Sequence, residues 1–376
     1  MLGVRGIGIR DDFFDLGGNS LLAMRMLQRA EIACGKVILP AALFTNATVE
    51  HFAGEIAREV IDDSPALLRV HDAGTRTPFF YLHGDLSGGG FYSLKLSRAL
   101  GQEQPFYVLP PQDIRTLPAA PGIKEMATAH LAALRAVRPK GPYVIGGFCI
   151  GGLVAYELAQ QIEASGESVE MLLIIDATAE DKWLSALRWF AGACGTLLHW
   201  NDHAKVDHFG RWALWGGRLT RWYGLNVQAQ ALIVVRRISN RFVRAYDMLR
   251  PRFRRETEQS GNAAQSSVPG RRERDVSAAF LWASAGYRPQ PYHGPVALLL
   301  SDDVVRDGSN VLAEWRELAP KVTVHPLMGS HLECITAHVD TLAQTIESCL
   351  QSTSARAHPH DRQFEPALAA SGKFQN

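Results

Sequence analysis

A chain of 376 residues, 47% hydrophobic and 20% charged, can hold one large domain and a small one, with the composition of a globular protein. A formal net charge of +1 leaves no bulk electrostatic footprint for nucleic acid. The five cysteines form no CxxC pair, which speaks against a disulfide framework or a metal site. No apolar run approaches the ~18 residues of a membrane span. No basic-then-apolar leader is legible either, so the expected setting is reducing and cytoplasmic.

Residues 1–60 read as short helices. Asp15-Leu16-Gly17-Gly18-Asn19 is a turn-rich loop, and Ser20 opens the run SLLAMRMLQRAEIAC, with Gly35 as its C-cap. A second helix fits 49–60 with Thr48 as N-cap. Residues 61–77 read as a linker into an edge strand. From 78 the rhythm becomes strand–helix alternation: apolar strands at 79–82, 106–109, 143–146, 171–175 and 296–300, with helices at 91–100, 123–137, 152–164 and 309–318. Near-continuous apolar strands between amphipathic helices predict a mostly parallel sheet covered on both faces.

The alternation breaks at 180–288, where no strand is evident and seven of the eight tryptophans fall. A helical insertion of that length between two core strands reads as a lid. Residues 211–255 hold eleven arginines and a single acid, Asp247, and the polar stretch 256–275 reads as a mobile loop. The arginines are either a solvated helix face or a contact for acidic carriers, with Arg236, Arg237, Arg241 and Arg244 as the set to test. The tail 354–376 is expected to be disordered.

Gly147-Phe148-Cys149-Ile150-Gly151-Gly152 lies between a strand and a helix and has the form of a nucleophile elbow, G-x-S-x-G, with cysteine for serine. Glycines leave room for the strained turn. The helix N-terminus behind Cys149 favours a thiolate. The bland alternative is a buried cysteine in a glycine turn of a hydrolase scaffold without catalysis. A nucleophile of this kind needs a base and an orienting acid. Gly329-Ser330-His331 follows the short strand 322–327, the late position at which the order nucleophile, acid, histidine places the base. Asp176, at the end of strand 171–175, is the favoured acid, and Asp302 and Asp303 after the next strand are the alternatives. The glycine-rich loop 83–90 supplies half of an oxyanion hole, whose backbone N–H donors are expected from Leu86 and Ile150.

DDFFDLGGNSLLA (11–23) and the following LPAALFTNATVEHFA (39–53) resemble the phosphopantetheine attachment site of carrier domains in nonribosomal peptide synthetases. The resemblance implies that Ser20 carries 4′-phosphopantetheine as a phosphodiester, besides serving as the N-cap of its helix. Only about ten residues stand before the motif, too few for the helix expected ahead of it, so the expectation is a partial carrier, either because the chain is a fragment of a longer synthetase or because the carrier is incomplete. YLHGDLSGGGFYSLKLSRAL (81–100), GGFCIGGLVAYELAQQ (146–161), LLIIDAT (172–178) and GSHLECI (329–335) resemble the terminal thioesterase domains of such synthetases. That resemblance places the acid at the Asp176 position, whereas Cys149 departs from the serine of most members.

The expectation is a partial all-α carrier bundle at 1–60, a linker at 61–77, and an α/β-hydrolase-fold thioesterase at 78–353 with a lid at about 180–288. Its function would be release of a phosphopantetheine-tethered acyl or peptidyl chain through an acyl-Cys intermediate, by hydrolysis or cyclisation. Partners implied are upstream synthetase modules and a phosphopantetheinyl transferase, without nucleic acid, membrane or metal. The rivals are an inactive hydrolase-fold module that docks carriers, and a free-standing esterase. Thioester turnover separates the first, and the fused carrier motif speaks against the second.

Overall fold

The computed structural model describes residues 2–4, 6–35, 38, 42–57, 67–84, 90–111, 122–223, 269–306 and 311–357. They divide into one unit of residues 1–113, 121–180 and 287–376 and another of 114–120 and 181–286.

The first unit opens with α1 (Ser20–Cys34), α2 (Ala42–Thr45) and α3 (Val49–Ala57). Asn19 caps α1: its side chain accepts from the Leu22 N–H at 3.0 Å. This corrects the expectation that Ser20 is the cap; Ser20 is the first helical residue, one position inside. Gly35, in the left-handed region at φ 67°, ends the helix, and Thr48 Oγ1 accepts from His51 N–H at the start of α3.

A seven-stranded sheet follows, in the order β1-β3-β2-β4-β5-β6-β7. Its strands are β1 (Leu68–His71), β2 (Phe79–Leu82), β3 (Phe106–Leu109), β4 (Tyr143–Phe148), β5 (Val169–Ile175), β6 (Val296–Ser301) and β7 (Val322–Leu327). Only β1, at the edge, runs antiparallel. The interior strands β2 to β4 and β6 are buried at every position, as their unbroken apolar sequences require when helices cover both faces. The helices of this unit are α4 (Tyr92–Leu100), α5 (Ile123–Val137) and α6 (Ile150–Ala164). The short α10 (Asp302–Arg306), α11 (Val311–Leu318), α12 (Glu333–Thr336) and α13 (Val339–Ala357) follow later in the chain. Alternate strand residues (Phe79, Tyr81, Val108, Val144, Phe148, Leu173, Ile175, Leu299) share one core with Leu96 and Leu100 of α4 and Leu342 and Ile346 of α13. The helix α13 was not anticipated, and it runs into the stretch expected as a disordered tail.

That same core includes Phe13, Ala23, Leu27, Leu43 and Phe44 of the N-terminal segment. Phe91 is 2% exposed and lies between two carrier-segment rings, Phe44 stacked at 5.1 Å and Phe14 tilted at 5.7 Å. Arg98 of α4 reaches Asp15 at 3.0 Å and Asp12 at 3.8 Å. An aromatic pair contributes about 0.5–1.5 kcal/mol beyond its buried area. A half-exposed ion pair contributes about 0–1 kcal/mol. The rings therefore carry most of the adhesion and the charges set register.

The second unit holds α7 (Lys182–Leu197), α8 (Asp202–Tyr223) and α9 (Pro269–Gly286) around Ala191, Phe209 and Ala285. Arg188 lies over the Trp282 ring, 4.4 Å from its centroid, and Trp200 stacks on His208 at 4.1 Å. Helix α9 begins inside the stretch 256–275 expected as a mobile loop. The arginines from 224 to 255, including Arg236, Arg237, Arg241 and Arg244, lie outside the described residues. No helix among the described residues is long and apolar enough to cross a membrane.

Candidate active site

Cys149 joins β4 to α6 with φ 54° and ψ −125°, a backbone conformation that costs a non-glycine residue of order 1–3 kcal/mol. Its neighbours explain how the turn closes. A Cβ on Gly147 would lie 2.2 Å from the Gly151 carbonyl oxygen, and one on Gly151 2.3 Å from the Leu82 carbonyl oxygen. The Cys149 N–H donates to the Ile175 carbonyl at 2.8 Å, tying the nucleophile's backbone to β5. The side chain is half-buried and packs against the core containing Phe148.

His331 hydrogen-bonds through Nδ1 to Asp176 Oδ2 at 2.5 Å, and its imidazole lies within interaction range of Cys149. The three residues that the sequence singled out thus meet, although Cys149 and His331 are far apart in the chain. Burial by itself would push the imidazole down; the hydrogen bond to Asp176 and the interaction with Cys149, with their charges, outweigh it and raise His331 to about 10. Burial would likewise raise Asp176, but the hydrogen bonds from His331 and from the Ser301 N–H and hydroxyl hold it below its ordinary value. The Phe148 ring stacks on the imidazole at 4.6 Å and 28°.

Asp302 and Asp303 take a different part. The Asp302 carboxylate accepts from Gly329 N–H and the Asp303 carboxylate from His331 N–H, each at 3.2 Å. They hold the backbone of the histidine loop. Asp176, itself at φ 51°, accepts from the Ser301 N–H and the Ser301 hydroxyl, both at 2.8 Å. Ser301 is the residue that sequence reasoning missed; its only local signal was its place before Asp302-Asp303 at a strand end.

Ile150 is the first residue of α6, so its N–H is one of the donors a helix start leaves unpaired. Leu86 lies outside the described residues. Gly84, ahead of it, passes so close to the elbow that a Cβ there would lie 2.1 Å from the Phe148 carbonyl oxygen and 3.1 Å from the Cys149 Cβ. Gly84→Val is therefore expected to disrupt the site: turnover should fall at least tenfold, measured on protein that still shows a native circular dichroism spectrum.

Residues 1–56 match the family model of the phosphopantetheine attachment site, and residues 80–187 that of the thioesterase domain. The chain is 33% identical over 189 residues to chondramide synthase of Chondromyces crocatus, covering 46% of this chain and 4% of that protein. It is 32% identical over 185 residues to malpibaldin synthetase of Mortierella alpina, covering 48% of this chain and 3% of that protein. A four-domain nonribosomal peptide synthetase bound to AMP and glycine superposes with a TM-score of 0.52 at 25% identity, over 93% of this chain and 25% of its own. The chain thus spans only a few per cent of the length of these two curated relatives. It carries a phosphopantetheine-bearing carrier segment followed by a thioesterase domain of α/β-hydrolase fold.

Proposed function

We propose that this carrier–thioesterase pair is the terminal release station of a nonribosomal peptide, or hybrid polyketide, synthetase. The observation that carries the reading is the Cys149–His331–Asp176 constellation in a chain whose own N-terminal segment matches a phosphopantetheine attachment site.

The residues at 11–23 suit that group. Ser20 offers a hydroxyl for a phosphodiester at the first position of α1, where unpaired N–H groups and the helix dipole favour an anion, and Asn19 already does the capping. When bound, phosphopantetheine supplies the terminal thiol that holds the acyl chain as a thioester. The chain's own residues then do the chemistry. Cys149 gives its proton to His331 as its sulfur attacks the thioester carbonyl, the Ile150 N–H holds the oxyanion, and His331 returns the proton to the departing thiolate. Asp176 keeps the imidazole in one orientation and offsets its positive charge. Exchange of one thioester for another is nearly isoenergetic, so the acyl group on Cys149 stays activated. Water, an amine or a hydroxyl of the chain itself then takes it as His331 removes the attacking proton. The tryptophan-rich second unit is the proposed selector among those nucleophiles.

The test begins at Ser20. Coenzyme A and a phosphopantetheinyl transferase are expected to add one cofactor mass to the native chain and none to Ser20→Ala. Loading with acyl-coenzyme A should then give a transient acyl adduct on Cys149, located by peptide mass spectrometry, and a released acid or ring. Modification of Ser20→Ala, or release without an adduct on Cys149, would overturn the reading.

A further inference from the structure

Phe91 belongs to two contact sets at once. On one side it is held between Phe14 and Phe44 of the carrier segment. On the other it begins a packed aromatic path into the site. Its chain neighbour Tyr92 meets the Phe148 ring edge-on at 5.9 Å, and Phe148 stacks on His331 at 4.6 Å. Phe91, Tyr92 and Phe148 are each at most 3% exposed, so the path is solid packing. Tyr92 is fixed further by a hydroxyl–hydroxyl hydrogen bond to Tyr81 at 3.0 Å. Gly90, directly before Phe91, is at φ 72°, and a Cβ there would lie 2.4 Å from the His83 ring. A shift of Phe91 has little room to dissipate before it reaches the residues around Cys149, because close-packed interiors transmit displacement. Arg98, about two helical turns farther on, pairs with Asp12 and Asp15 beside the Phe14 contact.

We infer that seating of the carrier is read at the catalytic imidazole: Phe91 and Arg98 form the carrier's seat, and Phe91, Tyr92 and Phe148 are positioning residues that carry its occupancy to His331. The inference rests on the proposed reading of Cys149 and His331 as the reacting pair. The two arrangements it distinguishes are carrier seated and carrier withdrawn. With the carrier seated, the aromatic stack presses Phe148 against the imidazole and holds it toward both Asp176 and Cys149. With the carrier withdrawn, Phe91 loses two ring contacts and the imidazole loses that backing. The enzyme is then most reactive when its own carrier is in place, which protects a free thiol from bystander thioesters.

The test needs neither a loaded arm nor the natural acyl chain. The rate of alkylation of Cys149 by iodoacetamide is followed by intact mass and peptide mapping on the full chain between pH 5 and 10. Arg98→Asp removes both ion pairs and sets a like charge beside Asp12 and Asp15. It is expected to slow alkylation at pH 7 by roughly 2- to 30-fold, the range that coupling through packed side chains spans, and to displace the pH profile. Arg98→Ala should give a smaller change of the same sign. Combining Arg98→Asp with Asp15→Arg should restore the wild-type profile, a rescue that mere surface damage would not show. Wild-type rates and profiles in both Arg98→Asp and Arg98→Ala would overturn the inference. If instead Cys149 of the native chain is not the residue alkylated first, the proposed function fails, and the two failures are told apart.

Discussion

Replacing Cys149 with alanine is expected to abolish release, by roughly 10⁴-fold or more in kcat, and to leave the acyl chain stalled on Ser20. The two buried thiols are poor substitutes. Burial pushes Cys334 up to about 12 and Cys349 up to about 11, and Cys334 donates to the His331 carbonyl at 3.2 Å, away from the imidazole. Cys149→Ser is the sharper experiment. A hydroxyl is far less acidic than a thiol, so His331 must become a full general base instead of partnering a thiolate. The ester it forms is also less activated than a thioester. Slow acylation, an acyl-Ser adduct that persists in the intact mass, and loss of ring closure before loss of hydrolysis are the expected signs. Product release by Cys149→Ala at the wild-type rate would remove the nucleophile assignment.

The next largest effect is expected from Asp176→Asn. Such a change costs about 10⁴-fold in a serine triad, because the amide favours the wrong imidazole tautomer. A thiolate–imidazolium pair leans less on its third member, so the loss should be smaller and still exceed tenfold. Asp302→Asn should be mild by comparison, since that carboxylate serves the Gly329 N–H; the reverse ranking would transfer the acid's role. Titration gives an independent reading. His331 is raised to about 10 against an ordinary 6.5, so its protonated form adds stability that is fully present below about pH 6.5 and is lost as pH rises through about 10. The stability difference between wild type and His331→Gln, from thermal unfolding at a series of pH values, should shrink across that window. In the Asp176→Asn background the window should close at lower pH, because the strongest of the contacts that raise His331 is gone.

The sheet was legible because parallel strands buried on both faces are written as short apolar runs. Strands 79–82 and 106–109 and helix 123–137 were read to the residue. Cys149, His331 and Asp176 were legible because loops at strand ends have few ways to be used. What the sequence hid was long-range. Ser301 meets Asp176 across 125 positions, and the stacking of Phe148 on His331 follows from a turn whose handedness no local pattern reports. Asn19 displaced Ser20 as the cap because two adjacent residues both suit that place and only geometry chooses between them. Helix α13 did carry a signal, Leu342, Ile346, Cys349 and Leu350 at helical spacing, diluted by the polar residues between them. The contact at Phe91 was invisible for another reason: it joins two segments whose sequence patterns are read separately.

Asp176 directly follows β5 and Ser301 ends β6, and because these are adjacent strands in parallel register the two residues meet at the same ends of their strands, although the chain between them leaves β5 at Ile175 and enters β6 only at Val296. The two hydrogen bonds between these residues therefore act as a clasp, closing a loop whose length the sheet does not sense. Closing a loop costs only about 0.6 kcal/mol more for each doubling of its length. Loops between the clasped residues can thus change in length at small closure cost, while the carboxylate hydrogen-bonded to His331 stays where it is. Under the proposed function, the stretch that selects the releasing nucleophile is in this way uncoupled from the carboxylate that orients the base.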